Sequence, residues 1–161
     1  MRKWVPLIVF SGVLLVLPAC RPAAPAADVD QEKKSLSQLF EKYLESVKTA
    51  DLALASQVWL NTPEASAVTP LGRFKGWEGV RNDLYVNFLQ KAFSERELKA
   101  DNLVVNVSGD TAWAVFDWTF TAKLANGQPF SSMGWESHVY RKIDGKWVIV
   151  HLHYSTPVPR Q

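Results

Sequence analysis

The sequence predicts an α+β domain in which helices come first and an antiparallel sheet follows. In the first half, apolar residues recur at three-and-four spacing, which is typical of helices with one buried face. The second half consists of long β-branched and aromatic runs, and Asn126-Gly127 and Asp144-Gly145 mark a first and a second hairpin between them. With 161 residues, the chain can form one hydrophobic core but not two.

The predicted helices take up the first half of the domain. The first carries one apolar stripe, formed by Leu36, Leu39, Phe40, Tyr43, Leu44 and Val47. Asp51 can cap a short second helix that runs to Trp59, because an Asp side chain accepts hydrogen bonds from first-turn backbone amides. Pro63 and Pro70 bracket an extended segment. A third helix places these apolar residues on one side: Val80, Leu84, Phe88, Leu89 and Phe93.

Strand patterning replaces helical spacing after Leu98. We expect strands over residues 103–107, 111–124, 130–142 and 147–155, arranged as a meander with the helices on one face. Both faces of this sheet are largely apolar, and the helices can cover only one of them. We therefore expect a homodimer that packs sheet to sheet.

The lengths of the two hairpin turns decide which side chains share a face. A two-residue turn at the first hairpin places Asp117 opposite Glu136. At the second hairpin the sequence leaves two registers open. A two-residue loop puts His138 beside His151, whereas a three-residue loop moves His151 and His153 to the opposite face.

In the three-residue version, one face collects the candidates for a pocket: Trp113, Val115, Asp117, Thr119, Glu136, His138, Tyr140 and Tyr154. Two opposed carboxylates in a dry cavity cannot both ionise cheaply, so Asp117 and Glu136, with His138 beside them, are candidate acid–base residues. The other face holds Trp118, Trp135 and Trp147, which suits a dimer or assembly surface.

The N-terminus has the features of a targeting segment rather than of a folded element. Residues 1–19 combine a positive start with a short apolar run, as in a secretory signal peptide. The Leu-Pro-Ala-Cys string that ends at Cys20 resembles the bacterial lipobox, in which the cysteine is lipidated. Residues 20–29 then form a Pro/Ala tether. We expect a periplasm-facing protein that is lipid-anchored to a bacterial membrane, most simply the outer membrane or cell surface. The alternative is ordinary cleavage near Ala24 or Ala27.

Composition excludes several functions. Arg2 and Lys3 account for the formal charge of +2, so the chain after the signal peptide is neutral and lacks the basic surface that binds nucleic acid. A single cysteine excludes a disulfide framework and a cysteine-based zinc site. His151 and His153 alternate on one strand, but they face away from the candidate carboxylates in the register with the three-residue second turn, and we expect no metal. No cofactor-binding motif is present.

Two motifs carry a resemblance to a known family. Val68-Thr69-Pro70 followed by Gly76-Trp77-Glu78-Gly79-Val80, and the Asp-Gly-Lys-Trp…His-x-His-x-Ser string of residues 144–155, resemble the nuclear-transport-factor-2-like superfamily. SnoaL-like proteins and the association domain of calcium/calmodulin-dependent kinase II are similar members. The resemblance spans about residues 30–157, leaving residues 158–161 as a tail. It implies a cone in which a curved sheet wraps a long helix and leaves a pocket at the wide end, and it implies that dimers are common.

The resemblance also implies positions for pocket residues. In the association domain the pocket is lined by basic residues, and the positions that match them here are Thr119, His138, Tyr154 and Asp83. None is Arg, which does not favour recognition of a small carboxylate. The strand positions share one face only with the three-residue second turn, so the resemblance favours that register.

From these observations we expect a membrane-anchored, dimeric domain that binds a small apolar or aromatic molecule without turnover. Its predicted ligand-binding residues are Trp113, Val115, Thr119, Tyr140, Tyr154 and Asp83. Two alternatives stay open. One is a small cofactor-free acid–base enzyme of the isomerase, dehydratase or cyclase type that uses Asp117, Glu136 and His138. The other is a structural or assembly module.

Overall fold

The computed structural model describes residues 29–158. The predicted signal peptide, Cys20 and nearly all of the tether lie outside the described residues, as do residues 159–161. The helical elements are α1 (Val29–Thr49), α2 (Leu52–Val58) and α3 (Gly76–Gly79), which continues into a π-helix (Val80–Gln90). The strands are β1 (Ser66–Thr69), β2 (Gly72–Lys75), β3 (Phe93–Ser108), β4 (Thr111–Leu124), β5 (Pro129–Ile143) and β6 (Lys146–Ser155). The predicted α+β fold, with helices packed on a curved sheet, is confirmed.

The sheet has six strands in the order β2-β1-β6-β5-β4-β3. Four of its five pairings are antiparallel, but β1 runs parallel to β6, so the sheet is mixed rather than purely antiparallel. Strand β3 begins at Phe93 instead of after Leu98. Register shifts interrupt β3 between Asp101 and Val104. Because an extra residue bends a strand and increases its twist, such shifts help the sheet curve around the helices.

Helix α1 lies against the sheet through the predicted apolar stripe, whose members Leu36, Phe40 and Tyr43 are buried. Its first turn is fixed by a polar contact. Glu32 accepts a hydrogen bond from Lys142 Nζ at 2.6 Å and another from Trp147 Nε1 at 2.7 Å. This pairing joins the start of α1 to the β5–β6 hairpin. None of the described helices is long and apolar enough to cross a membrane.

Helix α2 begins as predicted at Asp51, whose Oδ1 accepts hydrogen bonds from the backbone amides of Ala53 and Leu54 at 2.7 and 3.1 Å. The third helical segment is longer than α2 but ends at Gln90, so Phe93 belongs to β3 and not to this helix. Its wider π-type turns place Leu84, Tyr85 and Leu89 in the core.

Candidate functional site

A cavity of about 390 Å³ lies between α1, the π-helix and the inner face of the sheet. That volume is within the range of pockets that bind small molecules, about 300–1,000 Å³. The lining is mainly apolar: Val47, Pro70, Leu71, Leu84, Phe88, Leu89, Ala92, Phe93, Leu98, Trp118, Phe120, Leu124, Phe130 and Leu152. The polar lining residues are Tyr43, Ser132, Glu136, Tyr154 and Thr156. Among residues 29–158, Glu136 is the only ionisable acid or base other than tyrosine in this lining.

Glu136 is held by side chains from α1 and from its own strand. Its side chain is 4% exposed. Tyr43 on α1 donates its hydroxyl to Glu136 Oε1 at 2.5 Å, and His138 Nε2 contacts the same oxygen at 2.7 Å. On the other side of the imidazole, His138 Nδ1 lies 2.8 Å from the hydroxyl of Tyr140. These four buried residues form one hydrogen-bonded chain, which we call the Glu136 network.

The donors and acceptors of this network indicate where its protons lie. If His138 is neutral with its proton on Nε2, it donates to Glu136, and Nδ1 accepts the Tyr140 hydroxyl proton. If His138 donates from both nitrogens, the Tyr140 proton has no acceptor among the contacts of that hydroxyl. Because a buried donor without a partner is costly, the first arrangement is favoured, in which Oε1 of Glu136 accepts two hydrogen bonds.

The tyrosines around Glu136 stay protonated. Burial, together with the negative charge of Glu136, raises the pKa of Tyr43 well above its ordinary value. The same two causes raise the pKa of Tyr140 and, with hydrogen bonds opposing them, raise the pKa of Tyr85 to about 12. Burial also raises the pKa of Tyr154. The carboxylate is therefore surrounded by neutral hydroxyl groups.

Gly134 allows β4, β5 and β6 to pack closely beside the cavity. A Cβ at this position would lie 1.8 Å from the carbonyl oxygen of Ser155 and 2.9 Å from Cζ2 of Trp118. Trp118 uses this space to place its ring in the cavity wall. Its indole Nε1 is buried and, within residues 29–158, has no hydrogen-bond partner.

The predicted pairing of Asp117 with Glu136 is wrong by one residue. Asp117 lies opposite Trp135, because the first hairpin has a three-residue loop rather than a two-residue one. Leu124 N–H donates to the carbonyl of Gln128 at 2.8 Å, and Gly127 takes the left-handed conformation (φ +88°) that such a loop requires.

This slip turns every β4 side chain to the face opposite the predicted one, because successive side chains of a strand alternate between faces. Predicted pocket residues Trp113, Val115, Asp117 and Thr119 therefore lie on the outer face of the sheet. Asp117 accepts a hydrogen bond from Asn102 Nδ2 at 2.6 Å and is not part of a carboxylate pair with Glu136. The structure contradicts this part of the predicted site.

The three tryptophans that were predicted to share an assembly face are separated, because the first hairpin turns Trp118 inward and the two-residue second turn does the same to Trp147. Trp118 and Trp147 are buried on the inner face, whereas Trp135 is 54% exposed on the outer face.

Asp83 is exposed on the π-helix, where it accepts a hydrogen bond from Asn87 at 3.1 Å, and it does not line the cavity. Of the predicted site residues, only Glu136 and Tyr154 line the cavity, with His138 and Tyr140 directly behind Glu136.

The second hairpin combines features of both registers left open by the sequence. Its turn has two residues, with Asp144 and Gly145 at positive φ. A shift between Val139 and Tyr140 then places one extra residue in β6, so His138 lies opposite Leu152. The histidines of β6 consequently lie on the outer face.

On that outer face His151 Nδ1 lies 2.8 Å from Ser66 Oγ. Burial and neighbouring cationic groups lower the pKa of His151. Within the part of the chain that the structure describes, no group of three or more potential ligands could hold a metal ion.

Sequence reasoning missed Tyr43, Phe93 and Phe120 as cavity residues. Tyr43 was correctly predicted to lie on the buried face of α1, but its hydrogen bond to Glu136 was not predicted. The hydroxyl of a buried tyrosine needs a hydrogen-bond partner, and this requirement could have pointed to a polar group nearby. Phe120 was hidden by the register of β4.

The fold and this cavity define a small α+β domain with a curved sheet around an interior pocket. A family model described as a SnoaL-like domain matches residues 36–159, and the chain belongs to this family. No curated protein is significantly similar to the chain.

Solved structures agree with this assignment. A nuclear transport factor 2-like superfamily protein from Salmonella enterica serovar Typhimurium is 37% identical, with a TM-score of 0.79, covering 82% of this chain and 95% of that chain. A hexachlorocyclohexane dehydrochlorinase from Novosphingobium barchaimii is 20% identical (TM-score 0.69, 80% of this chain, 88% of that chain). The association domain of the kinase CaMKII from C. elegans is 22% identical (TM-score 0.63, 80% of this chain, 98% of that chain).

Proposed function

We propose that this domain binds a small, mostly apolar molecule in the cavity, without chemical turnover. The observation that carries the proposal is an interior space of about 390 Å³ whose walls are aliphatic and aromatic side chains. One carboxylate, that of Glu136, supplies an orienting polar contact. Desolvation of a bound apolar molecule against these walls provides the driving force.

The test is to fill the cavity. Pentylbenzene is a suitable neutral probe, and its binding should raise the melting temperature of the full chain, because a ligand that binds only the folded state stabilises it. Ala92→Phe adds a ring to the cavity wall and should abolish this shift. Ala53→Phe adds the same ring at an exposed position of α2 and should leave the shift unchanged. A shift that persists in Ala92→Phe would place binding elsewhere.

A second candidate function is a cofactor-free acid–base enzyme, a lyase or an isomerase. The observation that favours it is the Glu136 network, in which a buried carboxylate borders the cavity and is backed by a histidine. Such a carboxylate can remove a proton from a bound substrate. Asp117 takes no part in this version, since it lies on the other face. Once a substrate is found, Glu136→Gln should lower turnover by about 10²–10⁴-fold and leave the affinity for pentylbenzene within about twofold.

We further propose that lipid on Cys20 anchors the domain to a bacterial membrane, with the domain facing the periplasm. The lipobox-like string and the Pro/Ala tether support this proposal. Mass spectrometry of the chain expressed in a bacterial host should find diacylglycerol on Cys20, and Cys20→Ser should move the protein from the membrane to the soluble fraction. A mature chain that begins at residue 25 or 28 would show ordinary signal cleavage instead.

Homodimerisation through the outer face of the sheet is proposed as well. An apolar patch on that face is formed by Val104, Trp113, Val115, Met133 and Trp135, with exposed fractions of 41–60%. Contiguous apolar surface of this kind is typical of an interface. Sedimentation velocity should give a dimer for the wild type and a monomer for Trp135→Glu. Gln38→Glu, an equal change of charge on the exposed side of α1, should remain dimeric.

A further inference from the structure

Glu136 is a buried acid that no Lys or Arg of residues 29–158 contacts. The two groups that contact its carboxylate, Tyr43 and His138, are neutral in the hydrogen-bond assignment above. No Lys or Arg of residues 29–158 lines the cavity. Removing a carboxylate from water is expensive unless a counter-ion replaces the lost hydration, and neutral donors replace only part of it. The charge of Glu136 is therefore only partly compensated by the protein.

One oxygen of Glu136 is available to a bound molecule. Tyr43 and His138 both contact Oε1, so they leave Oε2 without a bond from the described residues. Oε2 is not among the fully buried polar atoms that lack a partner, and Glu136 lines the cavity. The accessible side of this carboxylate is thus the cavity side.

The surroundings of Oε2 favour a cationic ligand over an anionic one. Walls of aliphatic and aromatic groups make the surroundings less polar than water, which strengthens an ionic contact at the Glu136 carboxylate. Aromatic faces such as Phe120 and Trp118 tolerate a nearby cation, because their π-systems are negative at the face. An anionic ligand would meet the Glu136 carboxylate and no compensating cation.

We propose that the cavity is selective for lipophilic amines, with the protonated amine bound to Glu136 Oε2 and the hydrocarbon part lying against the apolar walls. This inference rests on the proposed binding function and adds the chemical class of the ligand. At the roughly 30 Å³ that a water molecule occupies in the liquid, a cavity of about 390 Å³ has room for about a dozen non-hydrogen atoms. A phenylalkylamine is of this size.

The test compares three probes that have the same number of non-hydrogen atoms: 4-phenylbutylamine, pentylbenzene and hydrocinnamate. They are cationic, neutral and anionic at pH 7. Calorimetric titration of the full chain should show that the amine binds about tenfold more tightly than pentylbenzene, as expected for one charge-assisted hydrogen bond, and that hydrocinnamate binds most weakly. In Glu136→Gln the preference of the amine over pentylbenzene should fall to about one, with pentylbenzene affinity retained.

The outcomes separate this inference from the function on which it rests. Equal binding of the amine and pentylbenzene, or tighter binding of hydrocinnamate, overturns amine selectivity and leaves an apolar binding site. Failure of all three probes to bind overturns both proposals. The comparison among probes uses the wild-type chain, so it tests amine selectivity even if Glu136→Gln does not fold. Retention of the amine preference in a folded Glu136→Gln variant also overturns the inference.

Discussion

Replacing Tyr43 with Phe tests whether the Glu136 network stabilises the fold. The substitution keeps the buried ring and removes only the hydroxyl that donates to Glu136 Oε1 at 2.5 Å. A hydrogen bond to a charged group contributes about 1.5–3 kcal/mol. Since the ring remains in place, no large cavity is created, and we expect the free energy of unfolding to fall by this amount. At about 4 °C per kcal/mol for a domain of this size, the melting temperature should fall by about 6–12 °C.

Urea unfolding followed by tryptophan fluorescence measures this change, and a double-mutant cycle identifies its cause. In a Glu136→Gln background the same Tyr43→Phe change removes a bond between neutral groups, which contributes about 0.5–1.5 kcal/mol. The coupling energy between the two positions should therefore be about 1 kcal/mol. A cost below about 0.5 kcal/mol for Tyr43→Phe in the wild type, with an unchanged m-value, would refute a stabilising hydrogen bond from Tyr43 to the Glu136 carboxylate.

Three further predictions concern the frame around the cavity. Gly134→Ala should destabilise the domain by at least about 3 kcal/mol, because the added Cβ would overlap the carbonyl oxygen of Ser155. In the control variant Gly79→Ala the nearest atom to the added Cβ lies at 3.4 Å, so the change should be nearly neutral. Thermal denaturation of both variants tests this difference. Hydrogen bonds from Lys142 and Trp147 lower the pKa of Glu32, so the free energy of unfolding should fall as the pH drops through and below the ordinary carboxyl range. Glu32→Gln should flatten the plot of unfolding free energy against pH in this range. Identical pH profiles for the wild type and the variant would contradict the pairing. Asp51→Ala should cost about 0.5–2 kcal/mol in urea unfolding, with Asp51→Asn close to wild type, and equal losses in both variants would argue against a capping role.

The order of elements was predictable because it depends on local patterns. The apolar stripe of α1, the cap at Asp51 and the turn residues of both hairpins are signals within a few residues of one another. Pairing between β1 and β6 was not predictable in this way. It joins Ser66 to His151 across most of the domain, and no local pattern specifies a parallel partner.

The candidate site was half predictable for a related reason. The alternation along β5 placed Glu136, His138 and Tyr140 together correctly, since it depends only on one strand. Which side chains of β4 face the cavity depends on the length of the first hairpin loop, and Asn126-Gly127 is compatible with a loop of two or of three residues. One residue of difference moved Asp117 out of the site. Tyr43 reaches the site from another element, and its contact depends on how α1 packs against the sheet.

The place of β6 in the sheet affects when the domain can form. This last strand lies between β1 and β5, so it joins the strand from the helical half to the long meander. A growing chain that still lacks residues 146–155 has two separate pieces of sheet, each with an open edge. Folding of the complete sheet must therefore wait until residues 146–155 have been made, and loss of this one strand would divide the sheet at its middle rather than shorten its edge.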